Sequence, residues 1–166
     1  IAMTFKSHDD YVLLISDHIP LKDVTTFITE KTIIEKTKIC IDFYKKYFTA
    51  FDEVLFSGIN PHVGEGGILG SEDSIILPAI NKLKGFYPKI IFNGPYSGDT
   101  LHVYENKNNK QLSVYMHHDQ ALAKFKAIHG LIGLNISMGL PFLRLSVDHG
   151  TAFDLYGKNK ANSLSM

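Results

Sequence analysis

The sequence has little cysteine, no excess of either charge and no long apolar run. Its single cysteine, Cys40, cannot form an intrachain disulfide and lies in an apolar-periodic stretch, which predicts a buried structural thiol and fits a reducing cytoplasm. No run of about eighteen apolar residues and no basic segment before an apolar core is present, so we predict neither a membrane span nor a signal peptide. Seventeen basic residues balance seventeen acidic ones without clustering, which argues against nucleic acid and for a small-molecule partner.

The order of apolar segments predicts an α/β fold with a largely parallel sheet. At 166 residues and 45% hydrophobic composition, the chain is long enough for one packed globular region. Strands are expected at 11–19, 54–59, 89–93, 112–117, 134–138 and 142–147, and helices at 24–48, from Ser71 onward, and at 119–129. In such a sheet, ligands bind at the carboxyl ends of the strands.

Histidines recur at those strand ends. The octet from Asn60 to Gly67 (NPHVGEGG) places His62 and three glycines directly after an apolar strand. Three further segments repeat the arrangement, at 17–20 (DHIP), 117–120 (HHDQ) and 148–151 (DHGT). The glycine-rich turn from Gly64 to Gly70 is not the dinucleotide fingerprint, and a simple tight connection explains it equally well.

His18, His62 and His118 follow three different strands and are therefore candidate metal ligands. Together with the carboxylates of Asp99 and Asp119 they would suit Zn²⁺, Co²⁺, Mn²⁺ or Mg²⁺. Spacing alone leaves open that these histidines are merely hydrogen-bonded or solvated. In an alternating strand His117 points away from His118, so at most one of the two joins a given site.

Lys126, Asn135 and Arg144 form a second group, suited to holding a carboxylate or phosphate. Arg144 lies in an apolar stretch, where an unpaired charge is costly to bury. For Lys126, a solvated lysine on a helix face is the competing interpretation.

With these residues in view, nearly the whole chain resembles the 4-hydroxythreonine-4-phosphate dehydrogenase family, specifically its carboxyl-terminal portion. The matching motifs are, in order, 18–24 (HIPLKDV), 60–67 (NPHVGEGG), 94–96 (GPY) with 99–101 (DTL), 118–120 (HDQ), 135–136 (NI) with 139–142 (GLPF), and Arg144 with 146–152 (SVDHGTA). The resemblance implies NAD-dependent oxidation of the substrate's 3-hydroxyl and decarboxylation to 3-amino-2-oxopropyl phosphate.

The resemblance also implies residue roles. It assigns the divalent metal (Zn, Mg or Co) to His18, His62 and His118, substrate binding to Lys126, Asn135 and Arg144, and catalysis to Asp99 and Lys126. It further implies a homodimer in which one metal histidine comes from the partner subunit.

A more distant similarity, to the isopropylmalate and isocitrate dehydrogenases, concerns the segment from His149 to Asp154 with a later Ala161-Asn162. It implies a three-layer α/β/α fold of the isopropylmalate-dehydrogenase type. It also implies that NAD contacts His149, Gly150, Thr151, Ala152 and Asn162.

The chain departs from the family pattern in ways that shape our expectations. His117 stands where the family has an aromatic residue. From the resemblance we also expect an upstream region with a His-Thr pair and a closing helix, which these residues do not include. We therefore expect residues 1–166 to be one α/β region of a longer dehydrogenase, inactive on its own. Relatives acting on 4-phosphoerythronate or a cyclic diol remain alternatives, as does a non-catalytic metal-binding module.

Overall fold

The computed structural model describes residues 1–106, 108–130, 132–147 and 151–163. Within these residues, seven strands form one sheet in the spatial order β4-β3-β5-β2-β1-β6-β7. The strands are β1 (Ala2–Ser7), β2 (Asp10–Leu14), β3 (Glu53–Ser57), β4 (Ile91–Tyr96), β5 (Gln111–Tyr115), β6 (Leu134–Met138) and β7 (Arg144–Val147).

The sheet is mixed but mostly parallel, as predicted. Strands β2, β3, β4 and β5 pair in parallel, and β6 runs in the same direction because both β2 and β6 pair antiparallel to β1. Only β1 and β7 among these strands run the opposite way. Consequently β2, β3, β4, β5 and β6 all end at one edge, which we call the carboxyl edge; the other is the amino edge.

Helices cover both faces, so the predicted three-layer α/β/α arrangement is confirmed. On one face, helices α2 (Glu30–Tyr47) and α3 (Ile76–Phe86) bury residues such as Cys40, Tyr44 and Ile80 against the sheet. On the other, α4 (His118–His129) packs Leu122 and Phe125 against Phe5 and Tyr115. The alternation of side chains along each strand supplies both cores. No helix in the described part of the chain combines the length and apolarity needed to cross a membrane.

The prediction of a single helix at 24–48 is wrong, because the helix is interrupted at Ile28 and Thr29. A short helix α1 (Val24–Phe27) ends there, and Ile28 is extended at φ −77° and ψ 106°. The Thr29 hydroxyl then accepts a hydrogen bond from the Thr32 backbone N–H at 3.1 Å, while the Thr32 hydroxyl accepts one from the Thr29 N–H at 2.8 Å. This reciprocal cap starts α2 afresh, since it satisfies the orphan N–H groups of a new helix end.

Three further features differ from the expectations. Strand β1 was not predicted, because its polar Thr4, Lys6 and Ser7 interrupt the apolar pattern, although Ala2 and Phe5 are buried on opposite faces of the sheet. The predicted cap at Ser71 makes no side-chain hydrogen bond; a 3₁₀ turn over Glu72–Ile75 leads into α3 instead. The predicted strand at 11–19 is also shorter than expected, since β2 ends at Leu14 and leaves Asp17 and His18 in the following loop.

Candidate metal and substrate site

His18 and His118 meet at the carboxyl edge. They follow β2 and β5, which are adjacent parallel strands, and their ring centroids lie 5.6 Å apart at an interplanar angle of 50°. A tetrahedral ion that binds two imidazole nitrogens at about 2.1 Å holds the ring centroids roughly 5 Å apart. The pair therefore has a separation that suits two ligands of one ion, and the expectation that these two strand ends converge is confirmed.

One carboxylate contacts the His118 ring, and another accepts a hydrogen bond from the His18 backbone. The Nδ1 atom of His118 lies 2.7 Å from an Asp119 oxygen, and this hydrogen bond lowers the pKa of Asp119. The His18 backbone N–H donates to Asp17 at 3.0 Å, and Lys36 from α2 approaches Asp17 at 3.9 Å. Burial lowers the pKa of Lys36, while Asp17 opposes that shift. A carboxylate on the ring nitrogen of a ligating histidine fixes its tautomer and orientation.

His62 does not complete the pair within the single chain. Among the described residues there is no group of three or more His, Cys, Asp or Glu side chains that could hold a metal ion. The structure thus brings together two of the three predicted ligands. A third would have to come from elsewhere, or from a different position of the exposed His62.

His117 precedes His118 but is not part of the ring pair. It is extended and half-buried at the residue before α4, and the ring that faces His18 belongs to His118. Burial lowers the pKa of His117, with Asp119 raising it and His118 lowering it further. Of the two adjacent histidines, His118 is the one placed to join His18.

Asp73 organises the loop that carries His62, a role that sequence reasoning missed. Its carboxylate is 7% exposed and accepts hydrogen bonds from the backbone N–H groups of Ile59 at 2.6 Å and Asn60 at 3.2 Å. It also accepts one from the Asn60 side-chain amide at 2.9 Å. The acidic run at 72–73 looked like the start of a helix, and a buried carboxylate there carries no separate sequence signal.

The loop itself is held in an uncommon conformation. Five consecutive residues, His62 to Gly66, have positive φ between 44° and 74°. A Cβ atom on Gly64 would come within 2.5 Å of the Gly70 carbonyl oxygen, so this position requires glycine on both conformational and steric grounds. The glycine-rich segment is thus a tight connection after β3, as the simpler interpretation predicts.

Gln120 connects the carboxyl ends of β3 and β5 through hydrogen bonds. Its Oε1 atom accepts from the Ser57 hydroxyl at 3.0 Å and from the Met116 N–H at 3.1 Å, and its Nε2 donates to the Gly58 carbonyl at 2.8 Å. The residue belongs to the HDQ segment quoted above, but its role was not foreseen. It fixes the exit of β3, toward His62, against the exit of β5, toward His118.

Asn135 and Arg144 share one face of the β6–β7 ladder. Asn135 is paired with Ser146, and the next pair on that face is Ser137 with Arg144. Arg144 donates to the Ser137 hydroxyl at 2.6 Å. Asn135 donates to the Met3 sulfur at 3.5 Å, while its Oδ1 is buried without a hydrogen-bond partner in the described structure.

Lys126 and Arg144 lie away from the histidine pair. Lys126 is exposed on α4, eight residues beyond His118, which corresponds to roughly 12 Å along the helix. Arg144 is on β7, three strands from β2, which is roughly 14 Å at ordinary strand spacing. A single chain therefore separates the two predicted groups of site residues.

The remaining predicted residues lie in exposed segments. Asp99 follows β4 at the carboxyl edge and is exposed. Thr151, Ala152 and Asn162 are also exposed, and Ala152 has a left-handed φ of 47° before a short 3₁₀ turn. His149 and Gly150, two further predicted NAD contacts, lie outside the described residues.

The fold places the chain in a recognisable class. Its structure superimposes on an isocitrate dehydrogenase from Methylococcus capsulatus with a TM-score of 0.64 at 14% identity, covering 99% of this chain and 56% of that one. At that identity the likeness concerns the fold alone, and it agrees with the predicted isopropylmalate-dehydrogenase type.

Closer similarities identify the family. The family described as "Pyridoxal phosphate biosynthetic protein PdxA" matches residues 1–166, and the chain belongs to it. A 4-hydroxythreonine-4-phosphate dehydrogenase from Neisseria meningitidis is 39% identical over 168 residues, which cover all of this chain and 50% of that protein. A crystal structure of the Klebsiella pneumoniae protein of the same name has a TM-score of 0.81 at 31% identity, covering 99% of this chain and 49% of that one.

The chain spans about half the length of the curated relatives it matches. The resemblance inferred from the motifs is confirmed by these similarities.

Proposed function

We propose that the chain is the carboxyl-terminal portion of a 4-hydroxythreonine-4-phosphate dehydrogenase acting in pyridoxal phosphate biosynthesis in the cytoplasm. The reaction removes the proton of the substrate's 3-hydroxyl and transfers the C3 hydride to NAD, and the resulting β-keto acid loses carbon dioxide to give 3-amino-2-oxopropyl phosphate. The observation that carries this proposal is the His18–His118 pair at the carboxyl edge, in a chain of this family.

A divalent ion (Zn, Mg or Co) fits the histidine pair. His18 and His118 would hold it, with Asp119 orienting the His118 ring through Nδ1. When bound, the ion supplies Lewis acidity that polarises the substrate hydroxyl and then the ketone. His62 is the third ligand we propose, held on the loop that Asp73 organises.

We propose that the complete site forms between two copies of the chain. The separation of roughly 14 Å between the strand of Arg144 and β2, the strand before His18, supports this, because one substrate molecule must touch both groups. A second copy would bring one metal histidine to the pair, and the site would then be shared by a homodimer. Isolated from the rest of the enzyme, the chain is expected to be inactive.

The other site residues have distinct roles in this proposal. Arg144 offers a planar bidentate donor for a substrate carboxylate or phosphate, and Asn135 contributes an amide on the same strand face. Asp99 and Lys126 serve as the proton-transfer residues, with Lys126 also contacting substrate. Thr151, Ala152 and Asn162, together with His149 and Gly150, would contact NAD.

The metal assignment is testable in this chain without any turnover. We expect Co²⁺ to give a visible absorption band and saturable binding by calorimetry, and His118→Ala to weaken binding by about tenfold or more. His102→Ala is the matched control, because His102 is an exposed histidine outside the pair. Equal Co²⁺ affinity of His118→Ala and the control would contradict the assignment.

The substrate assignment requires the complete enzyme. We expect NADH production with 4-hydroxythreonine 4-phosphate and much less with 4-phosphoerythronate or a cyclic diol. A preference for either alternative would keep the metal and cofactor roles but replace the substrate. Co²⁺ binding without NAD binding or turnover would favour a metal-binding module.

A further inference from the structure

A second concave site lies at the amino edge, at the opposite end of α4 from His118. The cavity has a volume of about 380 Å³ and is lined by residues of the β1–β2 turn, the starts of β2 and β5, and the end of α4. Among its lining residues are Ser7, Asp10, Glu105, Gln111, Ser113 and His129. Its volume falls within the range of small-molecule pockets.

The cavity contains a buried hydroxyl without a partner. Ser7 is 4% exposed, yet its Oγ atom makes no hydrogen bond in the described structure. Ser7 ends β1 on the face that α4 covers, in register with Asp10. A buried hydroxyl that finds no protein partner loses its hydration without compensation, so rotation of the Ser7 side chain toward a polar group in the cavity would give it a hydrogen bond.

Each carboxylate around the cavity already contacts a basic side chain of the protein. Asp10 contacts His129 Nε2 at 2.9 Å, and Glu105 accepts from Lys124 Nζ at 2.6 Å. Asp9, at the rim, faces Lys110 Nζ at 3.7 Å. A charged ligand would have to disrupt these contacts or enter without a counter-ion, whereas a neutral ligand would leave them in place.

The remaining hydrogen-bonding capacity mixes donors and acceptors. Ser7 can both donate and accept, and the carboxylates of Asp10 and Glu105 retain lone pairs beyond those used by His129 and Lys124. Hydroxyl groups have the same dual character. We propose that the amino edge binds a small neutral polyhydroxylated molecule, of the size of a free sugar or polyol. The proposal follows from the unpaired Ser7 hydroxyl, the carboxylates that already contact basic side chains, and the cavity volume.

This site is independent of the proposed active site. His118 and His129 are at the two ends of α4, and eleven residues of helix place them roughly 16 Å apart. Binding at one can therefore be measured while the other is unchanged. Failure of the dehydrogenase proposal would leave this proposal untouched, and the reverse also holds.

The test is a ligand titration of the full chain, monitored through its backbone amide NMR signals. The probes are D-ribose, meso-erythritol and D-glucose, with ethanolamine and inorganic phosphate as charged comparators. We expect at least one neutral probe to give saturable shifts centred on Ser7, Asp10 and His129, at roughly millimolar concentrations typical of small polar ligands.

Two variants separate binding from stability. Ser7→Ala should weaken the binding of the responding probe by about tenfold. The unliganded protein should stay as stable as the wild type, because only an unpaired hydroxyl has been removed. Thr37→Val is the matched control, since Thr37 also buries an unpartnered hydroxyl but lies in α2, outside the cavity lining. It should bind the probe like the wild type.

Three results would overturn the proposal: no saturable shift with any neutral probe, shifts unchanged in Ser7→Ala, or tighter binding of ethanolamine or phosphate than of every neutral probe. Because the wild-type titration alone can give the first and third results, the test does not depend on either variant folding.

Discussion

The two edges of the sheet are built in different ways. At the carboxyl edge, a buried carboxylate and a run of left-handed residues hold a loop in a conformation that few sequences adopt. At the amino edge, the β1–β2 turn is short, and partly exposed ion pairs such as Glu105 with Lys124 join neighbouring elements. The carboxyl edge has five consecutive residues with positive φ, whereas the amino edge, in the described part of the chain, has only isolated ones, such as His8 at φ 49° and Gly130 at φ 58°.

The contrast shows where strain coincides with the candidate site. Left-handed φ at Val63, a β-branched residue, is unfavourable by itself and persists only when surrounding contacts enforce it. Asp73 holds Ile59 and Asn60, which come directly before the run of positive φ, and the strained loop is the one that carries His62. At the amino edge the left-handed residue His8 stands alone, so equivalent substitutions at the two edges should have unequal effects.

The largest difference is expected between Asp73→Asn and Asp10→Asn. The amide at position 73 retains one oxygen acceptor but turns its NH₂ toward an N–H donor, so at least one of three hydrogen bonds is lost and the others lose their charge assistance, which costs about 2 to 5 kcal/mol. At position 10 the amide oxygen can still accept from His129, and the loss is about 1 kcal/mol or less. Chemical denaturation followed by circular dichroism measures both.

Equal losses of unfolding free energy in these two variants would break the comparison. If only Asp73→Asn loses stability, this variant should also bind the metal more weakly, because the loop that carries the proposed ligand His62 would no longer be held.

A second pair of substitutions, Gly64→Ala and Gly130→Ala, compares positive φ with and without crowding. Both glycines have positive φ, at 74° and 58°. At Gly64 the new Cβ also meets the Gly70 carbonyl oxygen, so we expect about 2 to 3 kcal/mol of destabilisation. At Gly130, which ends α4 at the amino edge, nothing lies within 4 Å, so only the conformational cost remains; because ψ is −118°, outside the left-handed helical region, that cost is about 1 to 2 kcal/mol.

Thermal unfolding of the two glycine variants provides the measurement. A melting temperature of Gly64→Ala as high as that of Gly130→Ala would show that the loop can relax, and that its tightness is not required.

The sequence predicted the features that follow from periodicity and strand direction. Runs of β-branched and aromatic residues located β2 to β7, and the parallel order of β2 and β5 explains why His18 and His118 were expected to meet. The family motifs assigned roles beyond anything that spacing could provide.

The features that the sequence did not predict depend on contacts between distant segments. Asp73 acts on Ile59 and Asn60 only because the loop turns back, and no local pattern distinguishes a buried acid at a helix start from an exposed one. The break before Thr29 arises from a Thr-Thr cap, which differs from the usual Ser/Thr-x-x-Glu signature. The amino-edge cavity combines β1, which was missed, with the end of α4.

The smallest expected effect is on the titration of Glu72, which lies beside Asp73 at the carboxyl edge. Its own backbone N–H, and then the Asn60 amide at 2.9 Å, lower the pKa of Glu72 from its ordinary value of 4.5. Because the folded-state pKa is depressed, the stability it contributes is present above the ordinary value and is lost as pH falls through the folded pKa.

Asn60→Ala should move the pKa of Glu72 upward but leave it below the ordinary value, since the backbone contribution remains. Carboxyl carbon NMR titration measures the shift, and the ring signals of His129 serve as the control because that residue lies at the amino edge. An unchanged Glu72 pKa in Asn60→Ala would mean that the Asn60 amide is not held against this carboxylate in solution, and the side-chain framework at the carboxyl edge would then reduce to Asp73 alone.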